Sequence, residues 1–250
     1  MSTLWKSVQG NLSFIGVCLL VFAVLVGLAV LAEKLVMRQR HRLGAARTIT
    51  FIAMFSAFAG VLMLVEIPLF FAPSFYKIDL SEIPVLICTF YLGPVSGVVC
   101  ELLKVLLKLL FKGTTTAFVG DFANFAVGCS FVLPASILYH KNKTKKGAIL
   151  ALGVGTLVMT VFGSLFNAWY LLPKFAELYG ISLDAILQMA AAVNPAITSI
   201  QKLVFFAVVP FNLLKGVIDS ALTFLLYKRV EKVFFRKNRI RAASAGTADR

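Results

Sequence analysis

Four polar side chains interrupt long apolar stretches of this sequence, and their chemical types suit the binding of a small molecule. They are Asn124, Asn167, Asn212 and Lys215. A polar group in such a stretch is costly to bury, so it indicates a functional site. An amide donates and accepts hydrogen bonds, and an ammonium group donates them. We therefore predict a site for a planar heterocycle that carries carbonyl and imide groups.

The sequence motifs of the common catalytic sites are absent. The chain has no GxxxxGK(S/T) phosphate-binding loop, no HExxH zinc motif, no nucleophile elbow and no paired acidic cluster for metal-dependent chemistry. The two histidines, His41 and His140, occur in basic turns, where we expect solvated side chains. The four cysteines lie in apolar stretches without a CxxC spacing, which predicts small buried side chains. We predict no catalytic residue, no metal site and no resident cofactor.

The composition is typical of a helical membrane protein. Of the 250 residues, 60% are hydrophobic and 14% are charged, and the mean hydropathy is +0.90. Soluble domains are nearer to about half apolar and about a quarter charged. Several apolar runs are long enough to cross a bilayer, whereas a transmembrane barrel would show short alternating segments. The predicted fold class is therefore an all-α integral membrane protein.

Helical spans are predicted from the apolar runs and their polar boundaries. The run from Glu82 to Phe111 is too long for one simple span, and Gly93-Pro94 divides it into two helices. The other predicted spans are Ser13–Ala32, Thr48–Phe71, Ala117–Tyr139, Gly147–Leu172 and Leu203–Tyr227. The predicted parts are an accessory anchor with a basic linker at 1–45, a six-helix core at 46–229, and a basic, partly disordered cytoplasmic tail at 230–250.

The distribution of basic residues predicts how the chain is oriented in the membrane. Of the 25 Lys and Arg residues, 17 fall within 34–47, 141–146 and 228–250. Seven alternating spans place these segments on one side, which the positive-inside rule assigns to the cytoplasm. The N-terminus is then outside and the C-terminus cytoplasmic, in a multi-pass cell-membrane protein. Because the basic clusters flank apolar runs, the net charge of +14 does not indicate nucleic-acid binding.

The three asparagines have similar predicted depths in the membrane. Asn124 is seven residues from the outer start of its span, Asn167 is six residues from an outer end, and Asn212 is nine residues into its span. At about 1.5 Å per residue, they lie roughly 9–14 Å below the outer surface. Lys215 follows one turn deeper on the face of Asn212, and Pro210 frees a backbone carbonyl before it. The alternative is that the amides only hydrogen-bond neighbouring helices.

Other charged and aromatic residues of the spans have predicted partners. Glu101 is expected to pair with Lys104, while Lys108 extends towards the membrane interface. Asp219 follows Lys215 by four residues and is a candidate ion-pair partner. Aromatic side chains near the asparagines could stack on a flat ring; they are Phe122, Phe125, Phe166, Trp169, Tyr170 and Phe211.

Five short segments carry a resemblance to a known family. They are Tyr76–Pro84, Gly93–Gly97, Gly120–Phe125, Ser164–Asn167 with Pro173, and Pro210–Gly216. In order and spacing they resemble the riboflavin-specific substrate-binding (S) components of energy-coupling-factor (ECF) vitamin transporters, over roughly 46–227. The resemblance implies a six-helix core open to the outside and tight binding of riboflavin. It also implies a T-type transmembrane partner and two ATP-binding ATPase subunits that drive import.

The resemblance also assigns roles to individual residues. It places riboflavin contacts at Asn167, Asn212 and Lys215, in agreement with the depth argument, which adds Asn124. It makes the loop from Tyr76 to Glu82 a candidate gate, with Tyr76, Asp79 and Glu82 as further substrate-binding residues. Ala53 and Ala57 match the family's small-xxx-small motif for docking the T component. Small residues suit that role because they let two helices approach closely.

Two segments depart from the family pattern, and two other functions stay open. The span Ser13–Ala32 is additional to the six-helix core, and the external stretch from Lys174 to Lys202 is long. Within that stretch, 182–192 predicts a short helix capped by Ser182, which is either an interfacial connector or a lid. The alternative functions are an S component for another heterocyclic vitamin and, in a different class, an intramembrane enzyme or a structural membrane protein.

Overall fold

Most of the described residues are helical. The computed structural model describes residues 2–36, 44–70, 73, 76–114 and 118–230. Its helices are α1 Ser2–Val36, α2 Ala45–Leu64, α3 Glu82–Leu92, α4 Pro94–Lys112, α5 Val119–Lys141, α6 Lys145–Phe166, α7 Leu172–Tyr179, α8 Leu183–Val193, α9 Ile200–Leu203 and α10 Val209–Val230. The π-helical turns Asn167–Leu171 and Val204–Val208 join α6 to α7 and α9 to α10. The short strands β1 Ile67–Pro68 and β2 Lys77–Ile78 pair antiparallel.

Five helical stretches of the described residues are long and apolar enough to cross a membrane. They are Leu12–Val36, Ala45–Leu64, Val119–Lys141, Lys145–Leu178 and Ile200–Val230. The other two predicted spans form α3 and α4. With 11 residues, α3 is about 16 Å long, roughly half of a hydrocarbon core of about 30 Å. α4 is long enough but contains four charged side chains, Glu101, Lys104, Lys108 and Lys112. The all-α membrane fold is confirmed, and its spans are less uniform than predicted.

The predicted break at Gly93-Pro94 separates α3 from α4. Gly93 has a φ of 110°, which residues with a side chain rarely adopt. Its N–H donates to the carbonyl of Thr89 at 3.0 Å and so closes the end of α3. Pro94 starts α4, where its missing N–H costs no helical hydrogen bond. The turn allows α4 to fold back along α3, so that side chains of the two helices meet.

α5 lies at the centre of the bundle, and aromatic side chains fill one end of the core. α5 contacts α1, α3, α4 and α6, while α10 packs against α3 and α6. Phe90 of α3 stacks on Tyr139 of α5 with ring centroids 4.1 Å apart, and Tyr227 of α10 meets both rings edge-on. Lys143 and Lys228 lie over the rings of Tyr139 and Tyr227 at 5.7 and 5.2 Å. Two of the basic segments therefore lie at the same end of the bundle.

The prediction of a solvated His140 is wrong. Its ring is buried at the end of α5, and Nδ1 lies 2.9 Å from the carbonyl oxygen of Ser136, one turn earlier. Because the backbone supplies this partner, the ring does not need water at that nitrogen.

Three of the four cysteines are buried as predicted, and Cys18 is half-buried. His41, the predicted basic linker around it and the predicted tail beyond residue 230 lie outside the described residues.

The accessory helix α1 packs against the outside of the core. Near its start, Phe14 meets Phe122 of α5 edge-to-face, with ring centroids 5.8 Å apart. Near its end, the Glu33 carboxylate accepts a hydrogen bond from the N–H of Val95 at 3.3 Å. Val95 lies in the first turn of α4, where unpaired N–H groups favour an acidic partner. The apolar stretch of α1 from Leu12 to Val36 is largely exposed, with 11% of it buried in the bundle.

The long stretch from Lys174 to Lys202, predicted to be external, folds into a small helical layer. The predicted short helix is confirmed as α8, and the Ser182 hydroxyl caps it by accepting from the N–H of Ala185 at 3.1 Å. Ile186 of α8 packs in one apolar cluster with Leu172 of α7 and with Tyr76 from the loop before α3. This layer therefore lies beside the end of the bundle where that loop is found.

Candidate ligand cavity

A cavity opens between the loop before α3, the first half of α5, the region where α6 meets α7, and α10. It contains about 800 Å³ free of protein atoms, a volume that includes the space at its open mouth. It is lined by Tyr76, Lys77, Glu82, Val119, Gly120, Ala123, Asn124, Val127, Gly128, Met159, Asn167, Leu171, Leu172, Phe175, Phe211, Asn212 and Lys215. The wall is mostly apolar, with a few polar groups that can orient a ligand.

The structure brings the polar residues singled out in the sequence to this cavity. Asn124, Asn167, Asn212 and Lys215 line it together with Tyr76 and Glu82. Asp79 lies behind the wall, in contact with Lys215. The amide of Asn124 donates to the carbonyl of Gly120 in its own helix at 3.0 Å. The contact of these residues with a ligand stays a prediction.

Local helix geometry holds Asn212 at the cavity wall. The π-helical turn Val204–Val208 ends two residues before Pro210, which has no N–H for regular helical bonding. The side chain of Asn212 is buried, and its Nδ2 has no hydrogen-bond partner among the described residues. Gly163 of α6 leaves room for it, because a Cβ there would lie 3.0 Å from Nδ2. A buried donor without a partner is a group that a ligand can satisfy.

Asn167 begins the other π-helical turn, and Tyr76 contacts it from the loop. The Tyr76 hydroxyl donates to Oδ1 of Asn167 at 2.8 Å, while Nδ2 of Asn167 donates to the carbonyl of Gly163 at 3.0 Å. The ring of Tyr76 lies 5.2 Å from that of Phe211. Burial raises the pKa of the Tyr76 hydroxyl, so it stays a hydrogen-bond donor. The loop therefore contacts the cavity wall through a predicted binding residue.

Lys215 pairs with acidic groups of the loop and of α3. Its Nζ lies 3.0 Å from Oδ2 of Asp79 and 3.8 Å from Oε1 of Glu82. Burial alone would raise the pKa of Asp79, but the charges of Lys215 and Lys104 outweigh it and hold the pKa below its ordinary value. The predicted pairing of Lys215 with Asp219 is wrong. The loop supplies a closer carboxylate than the helix neighbour does, and Asp219 finds no donor among the described residues.

Two further lysines of α4 form buried ion pairs. Nζ of Lys104 lies 2.6 Å from Glu82 and 2.8 Å from Glu101, which confirms the predicted Glu101–Lys104 pair and adds a second acid. Lys108 was predicted to extend to the membrane interface, and this is wrong. It pairs with Asp121 at 2.6 Å, because α4 and α5 pack side by side and this carboxylate is within its reach.

Most of the aromatic residues predicted to stack on a ligand lie elsewhere. Of the six, Phe211 lines the cavity. Phe122 packs on α1, and Trp169 is 78% exposed. Phe175, which the sequence analysis did not single out, lines the cavity instead. The sequence feature that could have indicated Phe175 is its position two residues after Pro173, because a proline marks the start of a new helix there.

Other lining residues gave no signal in the sequence. Met159 and Gly128 are apolar residues within apolar spans, so their composition and spacing do not distinguish them from core residues. Gly128 is nonetheless required by packing, because a Cβ there would lie 2.7 Å from the Glu101 carboxylate.

A group of three charged residues ties the loop to the ends of two helices. Glu66, which follows α2, accepts hydrogen bonds from Lys77 of the loop at 2.9 Å and from Lys112 of α4 at 2.8 Å. Burial would raise the pKa of Glu66, but hydrogen bonds from Lys112 and Lys77 lower it below its ordinary value. Lys77 also lines the cavity. These contacts hold one side of the cavity mouth.

The predicted docking residues lie on an open face of α2. Ala53 and Ala57 are exposed, whereas Phe55 and Ser56 between them point into the core. Small residues at exposed positions of a helix allow another helix to approach closely. The docking role of Ala53 and Ala57 stays a prediction.

No arrangement of side chains suited to a metal is found in the described part of the chain. Across 2–36, 44–70, 73, 76–114 and 118–230, no group of three or more His, Cys, Asp or Glu side chains is placed to hold a metal ion. The polar groups of the cavity are three amides, a phenol, one carboxylate and two lysines. They suit hydrogen bonding to an organic ligand.

The fold and the cavity define a class: a helical membrane protein with a pocket for a small organic molecule. The chain belongs to the family of ECF transporter substrate-specific components, whose family model matches residues 47–227. Members of this family bind a substrate for transport and are not enzymes. Helix α1 precedes the matched residues.

Several relatives share most of their length with this chain. The riboflavin transporter RibU of Staphylococcus aureus is 38% identical over 198 residues, which cover 79% of this chain and 94% of the relative. The riboflavin transporter FmnP of Bacillus subtilis is 29% identical over 183 residues, with 72% and 90% covered. A solved S component of a bacterial ECF transporter superposes with a TM-score of 0.60 at 34% identity, covering 76% of this chain and 99% of that chain.

Proposed function

We propose that this chain captures riboflavin as the substrate-binding subunit of an ATP-driven ECF-type vitamin importer. The riboflavin transporters of Staphylococcus aureus and Bacillus subtilis support the choice of vitamin, because this chain matches them over most of their length. The chemistry of the cavity supports it independently. Riboflavin has a flat ring with carbonyl oxygens and an imide edge, and an amide can both donate to and accept from such an edge.

One observation carries the proposal. Asn124, Asn167 and Asn212 come from separate transmembrane segments, and their side chains line one cavity with Lys215. Nδ2 of Asn212, which has no hydrogen-bond partner among the described residues, and the ammonium group of Lys215 donate to ring carbonyl oxygens. Phe211 offers an aromatic face on the same wall.

The loop from Tyr76 to Glu82 acts as the gate of this cavity. Tyr76 hydrogen-bonds Asn167 at 2.8 Å, and Asp79 pairs with Lys215 at 3.0 Å. Both partners of the loop are proposed ligand contacts, so the position of the loop and the binding of the ligand are coupled. Riboflavin enters when these two contacts open, and the loop closes over it when they form again.

The energising partners are a T-type transmembrane component and two ATPase subunits. The sequence has no phosphate-binding loop of its own, so hydrolysis takes place on partner chains. The open face of α2 with Ala53 and Ala57 docks the T-type component. In the proposed topology the cavity mouth and the N-terminus face outward, and the basic end and the C-terminus face the cytoplasm.

Uptake by reconstituted vesicles tests this function. Vesicles that contain the chain with a T-type component and two ATPases should accumulate riboflavin when ATP is supplied on the ATPase side. Vesicles with ATPases that cannot hydrolyse ATP are the matched control and should not accumulate it. Equal uptake in both preparations, or uptake by the chain alone, would contradict the proposal. Competition by other heterocyclic vitamins in the same assay distinguishes riboflavin from a different substrate.

A further inference from the structure

A group of buried charges behind the cavity contains more acidic than basic side chains. Its lysines are Lys104 and Lys215, and its acids are Asp79, Glu82, Glu101 and Asp219; each of the six residues is at most 6% exposed. Glu82 joins the two lysines, because its Oε1 lies 2.6 Å from one ammonium group and 3.8 Å from the other. Two ammonium groups and four ionised carboxylates leave a formal excess of two negative charges.

Such an excess is costly within a membrane. An ionised carboxylate taken out of water loses its solvation, and a cation or several hydrogen-bond donors must compensate that loss. A buried acid without compensation binds a proton instead. The ion pairs and hydrogen bonds of each acid indicate which two carboxylates are not compensated.

Asp219 lacks any compensating contact among the described residues. It is 0% exposed, and neither of its carboxylate oxygens has a hydrogen-bond partner there. Lys215, one turn earlier on α10, directs its ammonium group towards Asp79 and Glu82. The Asp219 carboxylate is fully buried, has no hydrogen-bond partner among the described residues, and lies one turn from a lysine that already contacts two other acids. Such a carboxylate is expected to bind a proton.

Glu101 shares its cation with a second acid. Its Oε2 and Oε1 of Glu82 both contact Nζ of Lys104, at 2.8 and 2.6 Å. Oε1 of Glu101 has no hydrogen-bond donor among the described residues, and the residue is 0% exposed. Two acids on one ammonium group are balanced when one of them is protonated.

The neighbouring helices supply no further cation within the described residues. Lys108 of α4 is already paired with Asp121 of α5 at 2.6 Å. The other titratable groups near the cluster are the buried thiols of Cys88, Cys100 and Cys129, which add no positive charge. Helix α6 faces α10 with uncharged side chains, among them Thr156 and Met159.

We propose that Asp219 and Glu101 each hold a proton at neutral pH, so that the cluster is an intramembrane proton-binding site behind the cavity. The neutral Asp219 does not compete with Asp79 for the ammonium group of Lys215, and Lys215 stays directed at the cavity. The link to riboflavin rests on the proposed function, whereas the protonation itself does not.

Infrared spectroscopy of the purified full chain at neutral pH tests the protonation directly. The carbonyl stretch of a protonated carboxyl group is separate from the bands of a carboxylate. Wild-type protein should show this stretch, and it should shift when the protein contains aspartate and glutamate with carbon-13 in the side-chain carboxyl group. Labelling requires no substitution, so the result does not depend on the folding of a variant. The proposal would be overturned if either the aspartate band or the glutamate band were absent.

Two isosteric variants assign the bands. Asp219→Asn should remove the aspartate band and Glu101→Gln the glutamate band, while Asp184→Asn, on the exposed helix α8, should change neither. Because each amide imitates a neutral acid, the riboflavin affinity of the first two variants should stay within about threefold of wild type. An aspartate band that persists in folded Asp219→Asn protein would overturn the assignment. Bands without riboflavin binding would leave the proton site in place and contradict the proposed function.

Discussion

At the scale of single residues, the cavity combines satisfied and unsatisfied polar groups. Asn167 and Lys215 already have partners in the loop, whereas Nδ2 of Asn212 has none among the described residues. Leaving a buried donor without a partner costs about 1–3 kcal/mol. A ligand that supplies an acceptor to Asn212 recovers this energy. A ligand that displaces a loop residue from Asn167 or Lys215 must offer that side chain a new hydrogen-bond partner.

Asp79→Asn tests the gate at this scale. Removing one charge of a buried ion pair costs several kcal/mol, and about 1.4 kcal/mol is tenfold in a rate or an equilibrium constant. Bound riboflavin should therefore dissociate at least about tenfold faster from the variant, as followed by the recovery of flavin fluorescence in stopped flow. Asp184→Asn is the control and should match wild type. A dissociation rate of Asp79→Asn equal to that of wild type would show that this pair does not close the gate.

The lowered pKa of Asp79 also predicts a pH dependence. Its ordinary pKa is about 3.9, and the folded value is lower. The stabilising contribution of the ion pair is therefore complete above the ordinary pKa and is lost as the pH falls through the lowered one. Titration of Asp79 should leave the wild-type dissociation rate constant between about pH 5 and 8 and speed it in stronger acid. An acceleration already near neutral pH, absent from Asp79→Asn, would contradict this account.

Sequence reasoning located the asparagines and missed most long-range charge pairs. Helix rise and topology are enough to estimate depth, so Asn124, Asn167 and Asn212 could be grouped from the sequence. The partner of Lys215 could not be found in this way. Helical spacing identifies neighbours on the same helix only, and the loop residue Asp79 reaches Lys215 across 136 positions of sequence.

At the scale of elements, α2 has one packed face and one open face. Phe55 and Ser56 are buried, and Ala53 and Ala57 are exposed beside them. Helices that associate within a membrane do so through close packing of small residues, so a bulky substitution on such a face hinders docking without disturbing the core.

Ala53→Leu and Ala57→Leu test the docking face. Both variants should bind riboflavin with wild-type affinity, because neither residue lines the cavity. Both should fail to co-purify with the T-type component and to support uptake. Ala221→Leu places the same bulk on the exposed face of α10 and is the matched control. Normal assembly and uptake by the α2 variants would exclude this face as the docking site.

The elements themselves were predictable to different degrees. Gly93-Pro94 marks the α3–α4 break, and Ser182 marks the start of α8, because both act through local backbone rules. The π-helical turns at Asn167–Leu171 and Val204–Val208 were not predicted. A π-helical turn depends on how neighbouring helices pack, and the prolines that follow both turns indicate only that the helix is irregular nearby.

At the scale of the whole molecule, α1 is added to a core that contains the entire cavity wall. All lining residues fall between Tyr76 and Lys215, and α1 packs on α4 and α5 from outside. Its contacts with Phe122 and with the first turn of α4 stabilise the bundle. Phe14 also packs in one apolar cluster with Val119 and Leu171 of the cavity wall, although no described residue of α1 lines the cavity itself.

A chain that begins at Gly44 tests the independence of the core. It should bind riboflavin within about threefold of the full chain, because additivity holds for parts without shared partners. Its thermal midpoint in detergent should be lower, since the Phe14–Phe122 and Glu33–Val95 contacts are lost. Loss of binding by a shortened chain that stays folded would show that α1 takes part in the site.

The central claim is that amides from separate spans and the ammonium group of Lys215 bind one riboflavin in this cavity. Quenching of riboflavin fluorescence by the purified chain measures that binding directly. We expect saturable quenching by wild-type protein and by the exposed control Lys202→Ala, and affinities weaker by about tenfold or more for Lys215→Ala and Asn212→Ala. No quenching by folded wild-type protein, or equal affinity in all four proteins, would contradict the account.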